Sequence, residues 1–195
     1  MKPTLRFLSD LCERRIELHN PADEPDIAFR YIDIGSVNNR TRRIEWPKLV
    51  KGSEASVRAR QVVHTGDVLV STVRPNLNNV ALVSHEQEGA ICSTGFCVLR
   101  SGPELVSGYL FAFVQSRRFV GSLVQLVQGA LYPAVTDRQI FSQQILWVNV
   151  EKQQILATQF MAQFEALTAA RLAAEKQIEE IELLGEKLLS QFFEA

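Results

Sequence analysis

The sequence predicts an α+β fold, in which a mixed-sheet domain over residues 1–150 is followed by one long coiled-coil helix over residues 151–195. Two observations support this prediction. Strand-like segments come first, helical spacing follows, and one more strand-like segment precedes the long helix, an order typical of α+β domains. The last segment lacks proline, and its apolar residues recur every seven positions. Apolar residues make up 46% of the chain, which is enough to form a core and argues against disorder.

The N-terminal half is predicted to contain one helix and several strands. Residues 4–18 place apolar side chains on one helical face, which predicts a short amphipathic helix. The following residues, 19–26, are rich in Pro and Asp and predict a loop. Alternation and β-branched content then predict strands at 28–34, 68–73, 80–83 and 90–99.

The second half of the domain changes to helical spacing over residues 104–128, with Ser116-Arg117-Arg118 between two helical pieces. A break at residues 129–133 follows, and the last predicted elements are a short helix at 137–141 and a strand at 145–150.

The long helix carries two apolar seams, and one helix cannot bury such a stripe alone, so the pattern predicts a helical partner. At ~1.5 Å per residue the helix would be about 65 Å long. Arg171 and Gly185 interrupt the second seam. A polar residue such as Arg171 can fix the register of the two helices, and Gly185 is interpreted as a site where two helices approach closely. The residues predicted to contact a partner helix are Phe160, Phe164, Leu167, Arg171, Ile178, Ile181, Leu188 and Phe192.

Charge divides the chain at the same place. Residues 1–150 contain 17 Lys+Arg and 14 Asp+Glu, a net charge of +3, whereas residues 151–195 contain 4 and 8, a net charge of −4. A mildly basic, Arg-rich domain is suited to bind phosphate groups and guanine edges, although an ordinary solvated surface explains this charge equally well. No signal peptide or membrane span is predicted, and the three irregularly spaced cysteines indicate reduced core thiols of a cytoplasmic protein.

Motifs for catalysis and cofactor binding are missing from the sequence. It contains no phosphate-binding P-loop, no G-x-G-x-x-G, no H-E-x-x-H and no G-x-S-x-G. The three histidines have no metal-ligand spacing with Cys or carboxylates. The sequence therefore predicts a protein that is not an enzyme, with no metal and no cofactor.

Four stretches occur in a specific order along the chain: YIDIGSVN at 31–38, GDVLVSTVRPNLNNVALV at 66–83, STGFCVLR at 93–100 and GALYPAVTDRQIFSQQILWVNVEKQQILA at 129–157. Together they resemble the DNA specificity subunit of type I restriction-modification systems, in a half-length form with one target recognition domain and one conserved helix. Members of the family usually have a Glu-Gln pair in the last of these stretches, with a double proline before it. In this chain Gln153 and Gln154 occupy the position of the pair, and Asn149-Val150 replace the double proline.

The resemblance implies a non-catalytic subunit that reads double-stranded DNA for methyltransferase (modification) subunits and, in many systems, for a restriction/translocase subunit. It implies a target recognition domain over residues 1–150 and a dimerisation and spacer helix over residues 151–195. A chain with one copy of each would pair as a homodimer through the C-terminal helix and read a bipartite site, since site symmetry mirrors protein symmetry.

Arginine and asparagine in the polar segments suit contacts with phosphate, guanine and adenine. The alternatives are a solvated loop for the arginines, an ordinary turn for residues 74–79 and a core position for Tyr132. The candidate DNA contacts are Arg40, Arg42, Arg43, Arg58, Arg60, Arg74, Asn76, Asn78, Asn79 and Tyr132.

Two rival functions remain open from the sequence. One is a non-catalytic coiled-coil protein that binds a protein partner rather than DNA, and the other is a reduced nuclease or methyltransferase. The acidic helix favours a protein partner over DNA for residues 151–195, and the missing motifs count against the enzyme.

Overall fold

The structure, a computed structural model, describes residues 3–193 and confirms a mixed α+β fold with a long C-terminal helix. Residues 1, 2, 194 and 195 lie outside the described residues, and with them the first residue of the predicted domain and the last residue of the predicted helix. The strands are β1 (Thr4–Phe7), β2 (Cys12–Glu13), β3 (Ala28–Ile32), β4 (Val37–Asn38), β5 (Arg43–Ile44), β6 (Lys48–Lys51), β7 (Ala59–Val62), β8 (Val68–Ser71), β9 (Val80–Leu82), β10 (Ile91–Ser93), β11 (Phe96–Ser101) and β12 (Gln144–Trp147). The helices are α1 (Leu8–Leu11), α2 (Ser107–Val114), α3 (Arg117–Leu126), α4 (Asp137–Phe141) and α5 (Val150–Phe193).

Two four-stranded sheets, in the orders β6-β3-β10-β7 and β2-β11-β8-β9, form the centre of the domain. The pairing of β3 with β10 is parallel and that of β10 with β7 is antiparallel, so the first sheet is mixed as predicted. Buried side chains from both sheets, including Ile32, Leu69 and Val98, share one apolar core. This core holds β8 and β9 rigidly, so the loop between them has a fixed base.

The predicted helix over residues 4–18 is wrong. Residues Thr4–Phe7 instead form β1, which pairs antiparallel with β12 from Thr4↔Trp147 to Phe7↔Gln144. Within the predicted helix, the structure is α-helical only over α1, where Leu8 and Leu11 are buried. A strand that lies far away in sequence satisfies the backbone of residues 4–7, and no local pattern reports such a partner.

The single strand predicted over residues 90–99 is two strands, β10 and β11, which belong to different sheets and are separated by Thr94 and Gly95. The helical region over residues 104–128 forms two helices, α2 and α3, as predicted, but of the predicted Ser116-Arg117-Arg118 break only Ser116 lies between them, since Arg117 and Arg118 begin α3. The Ser116 hydroxyl accepts a hydrogen bond from the Phe119 N–H at 3.2 Å and so caps the start of α3.

The three cysteines are free and buried, as predicted for core thiols. Burial raises the pKa of Cys12 to about 12, and it also raises the pKa of Cys92 and of Cys97 well above the ordinary value of a thiol. Because the thiolate is the reactive form, these thiols are chemically inert at neutral pH.

The chain divides into two compact units, one that ends at Thr158 and one that begins at Gln159. The functional boundary predicted between residues 150 and 151 stays a prediction. In the second unit, helix α5 leaves its apolar side chains exposed, for example Ile178 at 55%, Ile181 at 67% and Phe192 at 79%. Arg171 pairs with Glu175 along the helix at 3.4 Å. Within residues 3–193, the structure contains no helix with the length and apolar character that a bilayer span requires.

The first turn of α5 is anchored to the domain by Gln153, whose side chain is fully buried. Its Nε2 donates to the carbonyls of Glu104 at 3.0 Å and Val148 at 2.7 Å, and its Oε1 accepts from the Val106 N–H at 2.9 Å. The Trp147 indole N–H donates to the same Glu104 carbonyl at 3.0 Å. One amide side chain therefore satisfies three backbone groups where the domain ends and the helix begins.

We expect Gln153→Ala to lower the free energy of unfolding by about 2 kcal/mol, because buried backbone groups lose their partners. Gln154→Ala is the matched control, since Gln154 is the same residue type in an exposed position of the same turn, and we expect a change below about 0.5 kcal/mol. Urea denaturation followed by circular dichroism measures both. Equal stability of the two variants would contradict the anchoring role.

Candidate nucleic-acid interface

The loop between β8 and β9 contains the polar residues predicted to contact DNA. Arg74 (φ 51°) and Asn78 (φ 47°) both adopt left-handed backbone conformations and flank the turn Pro75–Leu77. This conformation is uncommon for residues other than glycine, and for a residue such as Arg it costs on the order of 1 kcal/mol. Side-chain packing holds the loop in place, since Pro75 is buried. Strain of this kind concentrates at functional sites.

Not all of the polar residues in this loop face solvent. Arg74 and Asn76 are exposed, whereas Asn78 and Asn79 are half-buried. The Asn79 carbonyl accepts a hydrogen bond from the Ser71 N–H at 2.9 Å, which continues the pairing of β8 with β9. Arg74 and Asn76 are therefore the most exposed polar side chains of this loop.

A second loop, residues 39–42 between β4 and β5, lies against the first one. The Asn38 side chain organises it, because Oδ1 accepts from the Arg40 N–H at 2.9 Å and from the Thr41 N–H at 3.3 Å. Arg42 also has a left-handed backbone (φ 56°), and its guanidinium donates a hydrogen bond to the Asn78 carbonyl. This bond joins the two loops. Arg40 and Arg43 have exposed side chains on the same hairpin.

A third loop, residues 127–136 between α3 and α4, is bonded to the residues around Arg74. The Arg74 N–H donates to the Pro133 carbonyl at 2.8 Å, and the Val135 N–H donates to the Thr72 carbonyl at 2.8 Å. At the tip of this loop, Tyr132 is 85% exposed. The core position that the sequence left open for Tyr132 is therefore excluded.

The backbones of Arg58 and Arg60 are hydrogen-bonded to different parts of the chain. The Arg58 carbonyl accepts from the Thr94 N–H at 2.9 Å, and the adjacent Gly95 carbonyl accepts from the Thr72 N–H at 2.9 Å. This turn links Arg58 to the strand that leads into Arg74. The Arg60 carbonyl instead accepts from the His19 N–H at 2.9 Å, so its backbone is bonded to a different part of the chain.

We call the combination of these three loops, residues 39–42, 74–79 and 127–136, the three-loop edge. It brings together seven of the ten candidate residues, namely Arg40, Arg42, Arg74, Asn76, Asn78, Asn79 and Tyr132, and Arg43 directly follows its first loop. Glu45 lies on the same hairpin, where its carboxylate accepts from Asn38 Nδ2 at 2.8 Å, so one acid moderates the positive charge. The edge thus combines exposed guanidinium and amide groups with an exposed aromatic ring.

Sequence reasoning missed one residue of this edge. Leu131 is 87% exposed beside Tyr132. Leu131 lies in the break predicted over residues 129–133, and neither that break nor the residue type reports how far its side chain is exposed. Among residues 3–193, no group of His, Cys, Asp and Glu side chains is placed to hold a metal ion.

Comparison with solved structures identifies the fold. The crystal structure of the HsdS subunit from Thermoanaerobacter tengcongensis is 31% identical in sequence with a TM-score of 0.80, over 97% of this chain and 49% of that one. In both sequence and fold the chain therefore resembles HsdS, the specificity subunit of type I restriction-modification systems. A second structure, from work on complex assembly and conformational transition of the type I R-M system, is 33% identical with a TM-score of 0.82, over 98% of this chain and 49% of that one.

The chain spans about half the length of both HsdS-type structures, which fits the half-length form that the resemblance implied. No protein-family model and no curated protein matches the sequence. The HsdS assignment therefore depends on shared structure at moderate sequence identity along nearly the whole chain.

Proposed function

We propose that this HsdS-like chain is a non-catalytic DNA recognition module that directs methyltransferase subunits, and a restriction/translocase subunit where one is present, to a bipartite site. The observation that carries the proposal is the three-loop edge. Three segments that are distant in sequence present arginine, asparagine and tyrosine side chains on one rigid base. Arg and Asn are the side chains that pair with guanine and adenine edges in the major groove.

The apolar face of α5 supports the second part of the proposal, which is assembly. The seam residues Ile178 and Ile181 are mostly exposed in the single chain, and such a stripe is stable in water only when another helix covers it. A second copy of this chain supplies a matching seam, and a twofold dimer would present two recognition domains. The net charge of −4 over residues 151–195 favours contact with protein rather than with DNA phosphates.

A genome-wide map of N6-methyladenine, in the source cell with and without this gene, tests the proposal. We expect one methylated motif, composed of two short half-sites around a fixed gap, to disappear when the gene is deleted. A palindromic motif would support the homodimer, since the symmetry of the site mirrors that of the protein.

An unchanged map, with the neighbouring methyltransferase expressed, would overturn the proposal. The alternative, a coiled-coil protein that binds a protein partner and not DNA, would then be favoured by the exposed face of α5. Complementation of the deletion with the intact gene is the control that excludes an effect on neighbouring genes.

A further inference from the structure

Two adjacent apolar side chains stand out on the three-loop edge, because nothing in the domain covers most of their surface. Leu131 is 87% exposed and Tyr132 is 85% exposed. Single exposed apolar residues are ordinary on protein surfaces, but these two are neighbours in a loop that is hydrogen-bonded to the Arg74 loop, and adjacent exposed apolar side chains mark a candidate contact surface.

The base of this loop is held firmly, although its tip is exposed. Val73 pairs with Ala134 in an antiparallel bridge, and the Arg74 N–H donates to the Pro133 carbonyl at 2.8 Å. Val135, at the end of the same segment, is buried. Leu131 and Tyr132 are therefore presented from a base bonded to the Arg74 loop, so a ligand that contacts Arg74 meets them as well.

We propose that Leu131 and Tyr132 form an apolar wedge, which enters a groove of the DNA and presses between neighbouring base pairs, where it partly unstacks one step. The inference rests on the proposed function and identifies how the same edge would deform its DNA. Double-stranded DNA is the ligand that matches both features of the edge, since phosphates complement the arginines and base faces are the apolar surface that accepts such side chains.

The wedge has a consequence for specificity. Partial unstacking costs less at flexible pyrimidine–purine steps than at other steps, so the wedge selects sequence without a hydrogen bond to any base. The site should therefore contain one such step at a position where substitutions of Arg74 and Asn76 do not alter the base preference.

The test uses the full chain and a duplex that carries the site the chain selects from a randomised pool. The variants are Leu131→Ala/Tyr132→Ala, Tyr132→Phe, which keeps the ring, and Arg43→Ala, which removes an exposed charge. We expect the double variant to lose about 10- to 100-fold in affinity, with an unchanged dependence of log K on log salt. Arg43→Ala should instead reduce that slope by ~0.9, as expected for one lost phosphate contact.

Fluorescence of 2-aminopurine, placed in turn at each step of the site, detects the unstacking directly. We expect an increase at one step with the wild type and with Tyr132→Phe, and no increase with the double variant. Because both substituted side chains are exposed, the thermal melting temperature should not change.

Three outcomes would overturn the wedge. The double variant could unstack and bind DNA as the wild type does, or it could lose only its binding to methyltransferase subunits, which would make the pair a protein contact. The third outcome is that the wild type selects no DNA sequence, which would overturn the proposed function and the wedge together. The first two outcomes differ from it because the wild type still selects a DNA site in both.

Discussion

Replacing both Arg74 and Asn76 with Ala is expected to lower the affinity of the chain for its selected DNA site by about 100- to 1000-fold, because each bidentate contact with a base contributes about 1–3 kcal/mol. Both side chains are exposed in the loop between β8 and β9. Neither substitution removes a buried group, so the fold should be retained, and the circular dichroism spectrum and melting temperature check this point.

Binding measured by fluorescence anisotropy at several salt concentrations also separates the two roles available to Arg74. A contact with guanine predicts relaxed preference at one base pair with little change in the salt slope, whereas a contact with phosphate predicts a slope reduced by ~0.9. Arg15→Ala is the matched control, because it removes an exposed arginine outside the three-loop edge. If the Arg74/Asn76 double variant binds as well as this control, the loop is an ordinary solvated turn.

Introducing two negative charges into the seam of α5, by Ile178→Asp and Ile181→Asp, is expected to weaken self-association by at least 1000-fold, or about 4 kcal/mol. In a homodimer four isoleucine side chains would leave the interface, and each contributes about 1.5–3 kcal/mol when fully buried. The single chain should keep its fold, since the two side chains are 55% and 67% exposed. Sedimentation equilibrium gives the association constant directly.

The control for this variant is Ala169→Asp/Ala173→Asp, which adds the same charge to exposed positions of α5 outside the seam. It sacrifices more helix propensity than the isoleucine variant does, because alanine is the better helix former, and yet we expect it to remain a dimer. A wild-type chain that sediments as a monomer at high micromolar concentration would contradict the homodimer. Equal weakening by both variants would indicate an effect of helix stability or charge rather than of the seam.

The DNA consequence of the seam variant also distinguishes assembly from recognition. We expect the Ile178/Ile181 variant to bind a duplex with one half-site as the wild type does and to lose the added affinity for a duplex with two correctly spaced half-sites, since linked half-sites raise the effective concentration. If the variant binds the duplex with two half-sites as tightly as the wild type does, dimerisation through α5 does not contribute to recognition of the bipartite site.

Local sequence signals predicted the parts of the fold whose structure depends on neighbours along the chain. The seven-residue repeat predicted α5 to within a residue at its start, and the Ser116 break separated α2 from α3 as expected. The strands β8 and β9 also follow from their composition. In each case periodicity or a cap acts over a few residues, which is the range that a sequence pattern reports.

Other features required the folded chain. β1 was mistaken for a helix because its partner, β12, lies at the other end of the domain sequence. Arg42 was singled out as a cation, but its hydrogen bond to Asn78 connects two loops that no spacing relates. Leu131 was passed over because the break predicted over residues 129–133 does not report which of its side chains face solvent.

The sequence by itself determined the α+β class, the long helix with its apolar seam, the division of charge and most of the candidate residues, since propensity, periodicity and composition are local properties. The tertiary structure alone decided which of these residues meet. It joined the Arg42, Arg74 and Tyr132 loops at one edge, bonded the Arg60 backbone to His19 and left Leu131 in solvent. The physical reason is that contacts between distant segments depend on how the two sheets share their core, which is a property of the whole folded domain.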